Sequence, residues 1–177
     1  MPAATPVVAP VETVTPDPIQ KIFLENRKER GKLRLPTVIN AEDRFTDPSE
    51  IPAAILKFIE QIPDVHEDCK VSVQSINDCF AVVQVDLNED SFADFILFGR
   101  GRNGGANIAP FWVLAGTQNG FSLVLQDAKL QLEIQRKKNQ GYFDIVAEAV
   151  VAGNLFTEYY SFDLNSYKSN RTVKSKL

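Results

Sequence analysis

Nine consecutive residues, Asp86-Leu87-Asn88-Glu89-Asp90-Ser91-Phe92-Ala93-Asp94, concentrate oxygen-bearing side chains in one short stretch. With Asp86 as position one, Asp86, Asn88, Asp90 and Asp94 fall at positions one, three, five and nine, and Phe92 stands at seven. The spacing suits calcium. A hard cation takes several oxygens at about 2.3–2.6 Å, and alternate residues of a tight loop turn inward while the carbonyl at position seven adds a ligand. The same residues also describe an acidic, solvated hairpin turn, and both readings stay open. An EF-hand fits less well, because its twelfth position is Leu97 where that loop has a bidentate glutamate.

A second chemically suggestive stretch follows, Gly99-Arg100-Gly101-Arg102-Asn103-Gly104-Gly105. Glycines bare backbone N–H groups and arginines attract carboxylate or phosphate, so Arg100, Arg102, Asn103 and Gly104 are the candidate interaction loop. The Walker lysine pattern is missing, and a long flexible connection between strands explains the stretch as well. Cys69 and Cys79 are close enough to close a short disulfide loop in an oxidising compartment, and two free thiols are the alternative. His66 is the single histidine, and with Asp68, Cys69 and Cys79 it follows no standard zinc spacing. No residue is assigned a catalytic role. Asp144, Glu148 and Glu158 alternate on strands as solvated acids, and Arg136-Lys137-Lys138 reads as a charged hairpin tip.

The acidic stretch with Phe95-Ile96-Leu97 behind it resembles the calcium loops of FG-GAP and VCBS-type repeats, Asp-x-Asp/Asn-x-Asp-Gly-x-x-Asp before an apolar strand. Ser91 departs from that pattern, standing where those loops have glycine, and a single copy is present where propellers repeat it. Together with Gly105-Ala106-Asn107-Ile108-Ala109-Pro110-Phe111-Trp112, Gly141-Tyr142-Phe143-Asp144-Ile145, Tyr160-Ser161-Phe162-Asp163 and Tyr167, the loop makes residues 80–168 similar to a group of small bacterial exported β-meander proteins. That resemblance implies an exported domain with a leader or lipid anchor, and it implies no activity.

These residues need strands to hold them. From Val71 onward, alternating or β-branched runs predict strands at 71–76, 80–87, 93–98, 111–115, 121–125, 129–135, 142–150 and 155–163. Short turn-forming connections between them imply hairpins, hence an antiparallel β-meander of about six to eight strands, as a sheet or a partly closed barrel. Two amphipathic helices precede it. Asp17-Pro18 opens one over 18–30, and Asp47-Pro48-Ser49 opens another over 50–62, with Ile51, Ile55, Phe58, Ile59 and Ile62 on one face and Pro63 ending it. The fold class is α+β, mainly β, one domain over 17–168. A disordered proline-rich tether over 1–16 and a polar tail over 169–177 flank it.

Composition narrows the function. The chain has 177 residues, 44% hydrophobic, with a formal net charge of −4, which disfavours a nucleic-acid or anionic-membrane surface. No run approaches the ~18 apolar residues of a membrane span. A basic, apolar leader is also missing after Met1, so the expectation is a mature extracytoplasmic form, periplasmic or secreted and tethered through a removed leader, with a cytoplasmic home as the alternative. The leading functional expectation is a non-enzymatic domain that binds an unidentified protein, as a component of an envelope assembly or an inhibitor or immunity-type protein, with a structural calcium loop. A carbohydrate-binding module or hydrolase would need Trp112, Tyr142 and Tyr160 exposed together beside carboxylates. A cytosolic phosphate or nucleotide binder would use the glycine-arginine loop.

Overall fold

A computed structural model describes residues 37–40, 51–63, 65, 69, 76, 78–104 and 108–177. Among them the element order is β1 (Thr37–Asn40), α1 (Ala53–Gln61), β2 (Phe80–Val85), β3 (Asp94–Gly99), β4 (Ala109–Thr117), β5 (Gly120–Lys129), β6 (Gln131–Asn139), β7 (Tyr142–Val151), β8 (Asn154–Asp163) and β9 (Ser166–Lys176), with a 3-10 turn at Gly101–Asn103. Every strand pairing is antiparallel.

The strands divide into two open sheets, a four-stranded one ordered β2-β3-β4-β5 and a five-stranded one ordered β1-β6-β7-β8-β9. The mainly antiparallel β expectation holds, but the single meander becomes two. The division falls at Leu130, where the chain passes from β5 directly into β6 of the other sheet and the Leu130 N–H bonds the Glu148 carbonyl (2.7 Å). No glycine or proline marks that step. A second difference is at the C-terminus, where residues expected as a polar tail form β9, paired along its length with β8. The predicted helix over 18–30 and the tether over 1–16 lie outside the described residues, as does most of the predicted strand at 71–76, whose last residue Ile76 is helical.

The layers follow from side-chain alternation. Phe80, Val82, Phe95, Leu97, Trp112 and Leu114 turn to one face of the four-stranded sheet, where Ile51, Ile55, Ile59 and Ile62 of the α1 region cover them. Their neighbours Ala81, Val83, Val85, Ile96, Phe98, Phe111 and Val113 turn to the other face and meet Leu132, Ile134, Ile145, Ala147, Tyr160 and Phe162 of the five-stranded sheet. Sandwiched between helix and sheet, β2 and β3 are buried on both faces, which is why they read as continuous apolar runs. The predicted helix is present, shortened to Ala53–Gln61, with Pro52 as its N-cap residue and Ile55 and Ile59 fully buried. Cys69 and Cys79 form a disulfide with Cα atoms 5.7 Å apart, inside the helix-side core.

Candidate functional site

The acidic loop joins β2 to β3 and is closed by its own groups. Asp86 Oδ1 accepts the Glu89 N–H (2.9 Å) and Asn88 Oδ1 the Asp90 N–H (3.1 Å), while Asp90 Oδ1 accepts the Phe92 N–H (2.8 Å) and its Oδ2 the Asn88 Nδ2–H (2.7 Å). These are the local side-chain-to-backbone bonds by which Asp and Asn hold a turn. The predicted ligands are thus gathered in one loop, each engaged in shaping it. Among the described residues, no three His, Cys, Asp or Glu side chains converge as a metal-holding group.

Asp94 also bonds a partner outside the loop. It is fully buried at the start of β3, where Oδ2 accepts the Leu87 N–H (2.6 Å) and Oδ1 the Gly116 N–H (2.8 Å) from β4. Leu87, itself buried, then accepts the Phe143 N–H of β7 at its carbonyl (2.7 Å). The loop therefore pins three strands across two sheets. Burial is the largest influence on the Asp94 carboxyl and pushes it up to about 7 against the lowering effect of those two N–H bonds, with Asp90 and Asp86 adding repulsion.

Ser91 sits at φ 80° and Glu89 at φ 59°, both in the left-handed region. The position where the resembling loops carry glycine is thus one where glycine relieves backbone strain. Ser91→Gly is expected to raise stability by about 0.5–1 kcal/mol in urea denaturation at unchanged slope.

The glycine-arginine loop is anchored. The Arg100 N–H bonds the Cys79 carbonyl (2.8 Å), the chain makes the 3-10 turn Gly101–Asn103 with Gly101 at φ 54°, and the Asn103 Nδ2–H reaches Cys69 Sγ (3.0 Å). Arg100 and Gly104 are half-buried, and a Cβ on Gly99 would lie 2.5 Å from the Asn103 carbonyl oxygen. Residues 99–104 are therefore folded back on the disulfide. The Arg102 side chain and the whole of His66 and Asp68 lie outside the described residues.

Trp112, Tyr142 and Tyr160 form no shared exposed platform: Trp112 and Tyr160 are buried, at 4% and 3% exposure, in different core layers, and Tyr142 stacks on Phe162 with ring centroids 3.8 Å apart. Tyr160 instead serves a polar cluster at the sandwich edge. Its hydroxyl and the ammonium of the buried Lys129 bond Asp127, and the same ammonium lies 3.0 Å from Glu158. Burial works against the Asp127 and Glu158 carboxylates, yet their hydrogen bonds and the nearby Lys129 charge hold both below their usual range. Asp144, expected on a solvated face, is buried with Oδ2 3.1 Å from Lys137 Nζ, and among the described residues its Oδ1 has no partner.

One surface is left open by the described residues. The outer face of the five-stranded sheet aligns Val38 of β1 with Glu133 of β6, Val146 of β7, Tyr159 of β8 and Arg171 of β9 in one cross-strand row. A second row runs Glu148, Thr157, Val173 and a third Val150, Leu155, Ser175. Val38 and Val173 are 46% and 41% exposed, and no described element packs over them. Periodicity alone marks one side of such a strand as outward. It does not say whether anything covers it. Comparison with protein-family models, curated proteins and solved structures gives no match.

Proposed function

We propose that this chain is a protein-interaction domain of an extracytoplasmic compartment, and that the outer face of the five-stranded sheet makes the contact. The observation that carries the reading is a face left open by the described elements, on which Val38, Val146, Tyr159, Val150, Leu155 and Val173 are interspersed with Glu133, Glu148, Thr157 and Arg171. A mixture of apolar and polar side chains is the composition of a non-obligate contact surface, and a rigid sandwich presents it without an ordering cost. The Cys69–Cys79 bond supports an oxidising home. In this role the acidic loop holds the two sheets in register, with or without an ion.

The test is photo-crosslinking in the native host, with a benzophenone side chain at Val150 or Tyr159 and, as control, at Leu164 in the exposed β8–β9 turn. A discrete heteromeric adduct from the two face positions and none from the turn is the expected result. Equal adducts from all three, or none, would remove the reading.

A further inference from the structure

The charge of β9 is out of keeping with the rest of the chain. Lys168, Arg171, Lys174 and Lys176 lie within Ser166–Lys176, a strand without a single acid, in a protein whose net charge is −4. Among the described residues none of the four pairs with a carboxylate. Two are instead steadied by neighbours on β8: the Arg171 guanidinium stands 3.8 Å from the Tyr159 ring centroid and the Lys174 ammonium 5.5 Å from that of Phe156.

β9 is also the last strand of its sheet, so alternate residues turn N–H and C=O groups away from β8. The β8–β9 ladder breaks register between Tyr159 and Tyr160, leaving Asn170 as the extra residue, with its Nδ2–H on Ser161 Oγ (2.8 Å). Beyond that bulge the register runs unbroken from Tyr159↔Arg171 to Asn154↔Lys176. Residues 171–176 are all exposed and carry basic side chains on both faces, Arg171 outward and Lys174 and Lys176 on the opposite side.

We propose that this edge, residues 171–176, takes up an extended acidic segment of a partner protein as an added β-strand. The proposal rests on the protein-interaction reading and names the partner's chemistry. Lysines on an edge ordinarily blunt sheet-to-sheet association. Here they do so selectively, because a second copy would bring the same positive charges against this one, whereas a strand alternating carboxylates with apolar residues sets its acids on the face of Lys174 and Lys176 and meets backbone groups that no described strand engages. The edge is thus closed to its own kind and open to an acidic strand.

The probe is an acetylated, amidated nine-residue peptide alternating glutamate and valine, added to the full chain. Hydrogen exchange of backbone amides in 171–176 should slow at least tenfold at saturating peptide, with little change on β1, the opposite edge. The triple variant R171E/K174E/K176E, checked by an unchanged melting curve, should lose the protection, as should a peptide with lysine in place of glutamate. A peptide of the same charge, N-methylated at alternate amides, should bind at least tenfold more weakly. If it binds equally, or if the first peptide gives no protection, strand addition is overturned. If the triple variant does not fold, single reversals at Lys174 and Lys176 carry the same expectation. A failure here with crosslinks intact at Val150 and Tyr159 removes the edge and leaves the interaction reading standing.

Discussion

Asp94→Ala is expected to destabilise the domain by about 3 kcal/mol at pH 6, read as a shift of the urea midpoint. The side chain is buried and accepts two backbone N–H bonds, from Leu87 and Gly116, so truncation leaves two buried donors without acceptors at about 1–3 kcal/mol each. Asp94→Asn keeps the shape but turns an amide NH2 toward one of those donors, and should cost about half as much. No loss for Asp94→Asn beside the full loss for Asp94→Ala would mean that side-chain volume, not hydrogen bonding, holds the loop.

The same residue sets a pH dependence. Its carboxyl is raised by burial to about 7 in the folded state, whereas an unfolded aspartate titrates near 3.9. Between those values the folded chain binds more protons than the unfolded one, so stability falls as pH rises from about 4 to about 7 and is level above. Comparing the wild type with Asp94→Asn cancels the other groups. The wild type should lose about 2 kcal/mol more than the variant between pH 5 and pH 8, and a difference that grows with acid instead would place the folded carboxyl below its unfolded value.

Gly116→Ala is the second large effect, a loss of about 3 kcal/mol or more, with reduced yield of folded protein. A Cβ there would lie 2.2 Å from the Ala93 carbonyl oxygen and 3.0 Å from its carbon, and both are backbone atoms at the threshold of β3. The nearest relief is separation of β3 from β4, which also pulls the Gly116 N–H away from Asp94. Gly120→Ala, where nothing lies within 4 Å, provides a control for the glycine change in the adjoining turn, with φ 124° as its own smaller penalty. A loss under about 1 kcal/mol at Gly116→Ala would show that β3 and β4 part without cost and would remove the contact with Ala93 as a constraint.

How much of this was legible depended on whether a residue's partner was local. The apolar runs of β2 and β3 announced buried strands, and the Ile55/Ile59 face announced α1, because burial leaves its period in the sequence. The acidic loop was legible as a loop, since its bonds reach only two or three residues. The second role of Asp94 leaves no local trace, because one of its donors is the Gly116 N–H, 22 residues away. β9 was missed for a different reason: Lys168 to Lys176 are all exposed, so no alternation exists to be read. β1 is four residues long, and the two-sheet division at Leu130 has no turn residue to signal it. The disulfide, left open by spacing, required the two Cα atoms to be brought within 5.7 Å.

The arrangement of β1 sets where the domain yields first. Eight of the nine strands are joined to a sequence neighbour by a hairpin, whereas Thr37–Asn40 reaches across to Gln131–Ile134 with most of the described chain between. Closing that loop costs more chain entropy than any hairpin here, and a four-residue ladder with the single buried Ile39 repays it. β1 is the seam of the sandwich. Its release leaves both meanders intact and opens the core end guarded by Ile39, so slow opening of the native state begins at the edge opposite the basic strand.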